Sequence, residues 1–116
     1  MKISIFYDNH AATDGVRADW GFACLVEGRG RRMLFDTGAS GPILMANMKA
    51  LGIDPATVDE VFISHDHWDH TGGLGDFLAA RPVTCYVPPC RARREASRRL
   101  GRASRPDCDS HGWRRP

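Results

Sequence analysis

The stretch Val61-Phe62-Ile63-Ser64-His65-Asp66-His67-Trp68-Asp69-His70-Thr71-Gly72-Gly73 decides how this chain is read. It opens as a short apolar strand, Glu60 to Ser64, and then delivers three histidines and two aspartates within six residues. Packing gives no reason for such a cluster, and burying it without partners is costly. Imidazole nitrogens and carboxylate oxygens are donors that zinc prefers. At a strand tip alternate side chains share one face, so His65 and His67 are expected to project together. Asp69 and His70 follow as the chain turns, and are expected to point at a neighbouring position. The spacing thus predicts two ligands for one metal and two for a second, unlike the helical H-E-x-x-H pattern. Gly72 and Gly73 let the backbone turn sharply into the next element. Asp66 reads as a solvent-facing carboxylate and Trp68 as a packing residue.

Working outward, the periodicity predicts a strand over Lys2 to Tyr7, with Ile3 and Ile5 on one face and Phe6 opposite. A polar loop, Asp8 to Asp19, leads to a second strand over Trp20 to Glu27. Gly28-Arg29-Gly30 reads as a tight turn and Arg31 to Phe35 as the returning strand of a hairpin. Pro42 opens a helix whose apolar stripe is Leu44, Met48 and Leu51, and Gly52 stops it. After the motif, Thr71 is expected to cap a helix with the face Leu74, Phe77 and Leu78. Arg81-Pro82 ends that helix, and Val83 to Val87 reads as a last strand. The order β, β-hairpin, α, β, α, β defines a mixed α/β chain.

Composition divides the 116 residues in two. Residues 1–90 hold 7 Lys+Arg against 11 Asp+Glu, and residues 91–116 hold 9 Arg against 3 acids. The first part carries the hydrophobic pattern; the second is rich in Arg, Ala and Ser and has too few large apolar residues for a core. The four cysteines form no C-x-x-C pair, and Cys24 and Cys85 lie in apolar runs, so they read as buried free thiols and not as a disulfide framework. Only Ile3 to Tyr7 precede Asp8, too short for a signal peptide's apolar region. No run approaches the roughly 20 apolar residues of a membrane span. The expectation is a cytoplasmic protein that does not engage a membrane.

The run His65-x-His67-x-Asp69-His70 resembles the H-x-H-x-D-H motif of the metallo-β-lactamase superfamily. Leu34-Phe35-Asp36-Thr37-Gly38 before the helix, and Ser64-His65 after the short strand, are similar to that superfamily in type and place. Within it, Asp8-Asn9 and Leu34 to Gly41 look most like the dihydropterin-ribofuranosylaminobenzene-phosphate synthase branch. The resemblance covers residues 1–90 and implies the N-terminal half of an αββα sandwich. It implies that His65 and His67 bind one metal and Asp69 and His70 a second, with Asp69 also shuttling a proton. It implies that Asp36 orients the ligand loop; a turn-capping Asp36 is a compatible reading. The implied cofactor is zinc, two ions in the complete site, with iron or manganese as substitutes. The implied activity is that of a metal-dependent hydrolase acting on a small-molecule substrate, in which metal-bound water cleaves an ester, lactone, thioester or phosphodiester bond.

The family pattern also calls for a second half that supplies a further His, a bridging Asp and a last His. The only histidine after the motif is His111, in the arginine-rich segment. The expectation is therefore a truncated, impaired enzyme, with a non-catalytic fragment as the alternative. An arginine-rich segment can also bind phosphate backbones, but it has one aromatic, Trp113, and no nucleic-acid motif, so a disordered or frameshifted tail is the preferred reading. Translating the two alternative frames of the downstream DNA checks the frameshift. One frame is expected to yield strand-like sequence with a further His and Asp; neither doing so overturns it.

Overall fold

The computed structural model describes residues 1–89. The arginine-rich segment, Cys90, Cys108 and His111 lie outside the described residues.

Five strands form one sheet in the order β1 (Lys2–Tyr7), β2 (Ala23–Gly28), β3 (Arg31–Phe35), β4 (Glu60–Phe62), β5 (Thr84–Tyr86). β1, β2 and β3 are antiparallel neighbours, whereas β3, β4 and β5 run parallel. Parallel neighbours need crossovers. The first is helix α1 (Gly41–Ala50) with a 3-10 turn at Pro55–Thr57. The second is a single helical turn α2 (Trp68–Thr71) followed by α3 (Leu74–Ala80). This is the mixed α/β order expected, with α2 and the 3-10 turn added.

The β2–β3 hairpin closes on Arg29 and Gly30, both with positive φ (51° and 75°). That pair is the two-residue turn whose twist matches a hairpin's strands. α1 begins with Pro42 in its first turn. It stops on Gly52, where φ is +66°. Gly52 N–H donates to Lys49 O and Ile53 N–H to Met48 O, the paired bonds of a Schellman stop. The helix stripe is Leu44 and Met48, both fully buried, but not Leu51, which sits at the cap and is exposed.

The core lies between one sheet face and the helices. Leu25, Leu34 and Val61 face α1 and α3, where Leu44, Met48, Leu74 and Phe77 complete the cluster. The opposite face carries cross-strand rows of Ile3, Val26 and Met33, and of Ile5, Cys24, Phe35, Phe62 and Tyr86. The rings of Phe35 and Phe62 stack at 5.4 Å. Among the described residues nothing covers this face, and Ile3, Ile5, Phe62 and Tyr86 are exposed. A register shift between Ile5 and Tyr7 turns both Phe6 and Tyr7 inward, so strict alternation fails at the end of β1. β2 starts at Ala23, three residues later than expected, because Trp20 O and Phe22 O accept from Ala39 and Gly38 instead of from a strand.

Asn47 is the buried polar member of α1. Its Nδ2 donates to Phe6 O and Arg17 O, each at 2.9 Å, and its Oδ1 accepts from Arg17 N–H at 2.8 Å. One amide thus fastens the β1 end and the following loop to the helix. Asn47→Ala leaves three backbone groups without these partners. It is expected to cost about 2–4 kcal/mol, read as a lower urea midpoint at unchanged slope.

Candidate metal centre

β4 ends at Phe62, before the motif begins. His65 and His67 are therefore not alternate residues of a strand, which corrects the strand-tip expectation. The chain leaves the sheet because Ser64 N–H donates to Asp36 Oδ1 and not to a neighbouring strand. His67 takes the cap position of α2, and Asp69 and His70 lie on that single turn. The rings nevertheless converge. The centroid of His65 lies 4.5 Å from that of His67 and 4.1 Å from that of His70. Asp69 Oδ2 lies 3.8 Å from His70 Nε2. Thr71 does not cap the next helix. It lies inside α2 and its Oγ1 donates to His67 O, while Gly73 holds the cap of α3. Trp68 is exposed, so it is not a packing residue. Asp66 is half-buried.

Asp36 follows directly on β3 and is 1% exposed. Its φ of +58° is unusual outside glycine, and aspartate is one of the few residues that tolerates it. The carboxylate accepts three short bonds: Ser64 N–H at Oδ1, and Ser64 Oγ–H and His70 Nδ1–H at Oδ2, each at 2.7 Å. A carboxylate only accepts, so His70 must carry its proton on Nδ1 and its lone pair on Nε2. Ligand-type atoms of Asp36, His65 and His70 lie within 4.8 Å of one another. Both Asp36 oxygens are already taken by donors, so its geometry is that of a residue that aims a histidine. It also satisfies the Ser64 N–H, which joins the turn-capping and orienting readings in one side chain.

The next residues fix the motif through its backbone. Thr37 N–H and Oγ1–H both donate to His70 O at 2.9 Å. Gly73 N–H donates to Gly38 O. Beneath this loop lies Tyr7, fully buried, whose hydroxyl donates to Asp19 Oδ2 and accepts from Ala39 N–H and Ser40 N–H. A side chain at Gly38 would strike the Tyr7 ring, and one at Gly21 would strike the Asp69 carbonyl. Gly21 is held there by Asn9 Oδ1, which accepts its N–H at 2.9 Å. Tyr7, Asn9 and Gly21 escape a reading by spacing, because their partners lie far along the chain.

The structure brings together the ligand-type atoms of Asp36, His65 and His70, a donor set that suits a divalent transition metal. His67 is exposed with its ring edge-on to His65, and Asp69 lies beside His70, so neither joins that group. The thiols of Cys24 and Cys85 do not join it. Burial pushes both up, and for Cys24 the negative charge of Asp36 adds to this, so both favour the protonated form, which is not a metal ligand.

Residues 21–102 match the family described as Metallo-beta-lactamase superfamily. The chain belongs to this family. It is 46% identical over 55 residues to the 7,8-dihydropterin-6-methyl-4-(beta-D-ribofuranosyl)-aminobenzene-5'-phosphate synthase of Methanocaldococcus jannaschii, which covers 46% of this chain and 19% of that protein. It is 36% identical over 75 residues to ribonuclease Z of Chlamydia pneumoniae, 57% of this chain and 23% of that one. A solved metallo-beta-lactamase of Cronobacter sakazakii superposes with a TM-score of 0.52 at 28% identity, over 70% of this chain and 31% of that one. The chain thus spans about a fifth of the length of these curated relatives and under a third of the solved structure.

Tyr7 supplies a pH signature. Burial first, and the Asp19 carboxylate second, push its phenol from 10.0 up to about 12. The fold favours the neutral form, so this contribution to stability is whole below pH 10 and is lost as pH rises through about 12. Alkaline absorbance titration is expected to show one of the two tyrosines ionising near 12, a step that Tyr7→Phe removes.

Proposed function

We propose that this chain carries metal-binding machinery of a metal-dependent hydrolase, of the dinuclear-zinc type, acting on a small molecule. The family is that of hydrolases such as ribonuclease Z. The observation that carries the reading is the convergence of His65 and His70 on the buried carboxylate of Asp36, which aims His70, with His67 and Asp69 beside them. In this reading His65 and His67 hold one metal and Asp69 and His70 a second, with iron or manganese as substitutes for zinc. These residues would hold the metal, which when bound would supply Lewis-acid polarisation of a carbonyl or phosphoryl oxygen and a water activated near neutral pH. In this reading Asp69, half-buried with Oδ2 3.8 Å from His70 Nε2, also shuttles a proton. Asp36 keeps His70 in one tautomer and orientation, and Thr37 keeps its backbone in register. The bond cleaved is an ester, lactone, thioester or phosphodiester. The similarity to the dihydropterin-linked synthase supports that branch. The cell compartment in this reading is the cytoplasm; among the described residues no helix is long and apolar enough to cross a membrane.

Zinc titration of the full chain tests the centre. Wild type is expected to bind zinc, and His67→Ala and His70→Ala are each expected to weaken binding at least about tenfold. Equal binding by wild type and variants overturns the centre. A generic ester and a phosphodiester, offered to the zinc-loaded chain, distinguish the bond classes, and metal binding without turnover of either favours a non-catalytic fragment.

A further inference from the structure

Ser64 lies between the buried carboxylate and the first histidine of the motif. Its Oγ is 2.7 Å from Asp36 Oδ2 and 2.8 Å from His65 Nδ1. Its own N–H donates to the other oxygen, Asp36 Oδ1, at 2.7 Å. The residue thus grips Asp36 at two points, which fixes its rotamer and aims its hydroxyl.

We infer that Ser64 is a positioning residue, a hydroxyl relay through which one carboxylate sets the tautomers of both His65 and His70. A hydroxyl has one proton and two lone pairs. Asp36 can only accept, so the Ser64 proton points at Oδ2; the reverse orientation would set two lone pairs against each other at 2.7 Å. Ser64 Oγ then meets His65 with a lone pair, and His65 Nδ1 must donate. That leaves the His65 lone pair on Nε2. His70 reaches the same state directly, because its Nδ1–H donates to the same Oδ2. The two rings are 4.1 Å apart, so two neighbouring histidines are held with Nε2 free by a single buried charge. Without the relay, imidazole in water prefers its proton on Nε2, where it blocks a metal. The consequence for metal affinity rests on the proposed metal centre; the tautomer assignment does not.

The test uses the metal-free, full 116-residue chain labelled with 15N-histidine. Long-range proton–nitrogen NMR spectra are recorded at a pH where the imidazoles are neutral. Wild type is expected to show His65 and His70 both protonated on Nδ1. Ser64→Ala is expected to move His65 toward the Nε2–H form and leave His70 unchanged, while Ser64→Thr restores the wild-type pattern. His65 protonated on Nε2 in the wild type, or unmoved in Ser64→Ala, overturns the relay, and the wild-type spectrum decides even if the alanine variant fails to fold. Zinc titration then separates the two readings. Ser64→Ala is expected to bind about tenfold more weakly and Ser64→Thr as wild type. No zinc binding by any of the three overturns the metal centre, while the spectra still judge the relay.

Discussion

The site depends on one constraint, the burial of the Asp36 carboxylate at the end of β3. A buried negative charge is tolerated only when its lone pairs are satisfied. Here the satisfying donors are the Ser64 N–H, the Ser64 hydroxyl and the His70 ring. Two of these three come from the residue just before the motif and the third from its last histidine. The demand of one charge therefore closes the whole segment from Ser64 to His70 into a loop around it. Pulling His70 away would strand a buried carboxylate, so the orientation of the ring is enforced by the same energy that keeps Asp36 paired.

The backbone around Asp36 is held to match. Its left-handed φ costs on the order of 1 kcal/mol, and such strain persists only where the surroundings over-determine it. Asp36 N–H donates to Phe62 O on the adjacent strand, Thr37 locks onto His70 O twice, and Tyr7 accepts from Ser40 N–H and from Ala39 N–H, which it shares with Trp20 O. Tyr7 can do this because the β1 register shift swings it beneath the loop, and because Gly38 leaves room for its ring. β1, β3, β4 and α2 are thus joined at one corner. The loop after β1 is pressed onto the same corner at Gly21, against the carbonyl of Asp69.

What was legible in the sequence follows from which interactions are local. Element order was legible, because helix stops, hairpin turns and apolar periodicity act within a few residues: Pro42, Gly52 and Gly30 do in the fold what their residue types predict, while Arg29 joins Gly30 in a left-handed φ that its own type disfavours. The motif was legible because residue type alone marks it as donor-rich. Its local geometry was not. The expectation of alternating strand positions for His65 and His67 failed because, after Ile63 N–H donates to Tyr86 O, Ser64 leaves the ladder to serve Asp36, 28 residues earlier. Thr71 looked like a cap because it stands before an apolar helix, yet the extra turn α2 takes it inside. Tyr7, Asn9 and Asn47 were unreadable for one reason: each bonds to partners at least 12 residues away, and no spacing rule reports such pairs. Trp68 differs from its expectation because size suggests burial, whereas α2 is one turn long and, among the described residues, Trp68 is left exposed on it.

The sheet face that is uncovered among the described residues bears on the site more closely than its distance from the histidines suggests. Phe35 and Phe62 stack on that face, and they are the residues that immediately precede Asp36 and end β4. Phe62 O is the acceptor for Asp36 N–H. The pair is therefore both an apolar surface in contact with water and the backbone frame of the carboxylate. Exposed strand pairs open more readily than covered ones, because fewer apolar contacts are lost when they do. Any opening of β3 from β4 at this end would release Asp36, and with it Ser64, His70 and the tautomers they set. Rigidity of the histidine corner is thus limited by the least protected part of the sheet, and a layer that buried Phe35 and Phe62 would stiffen it without touching a single histidine.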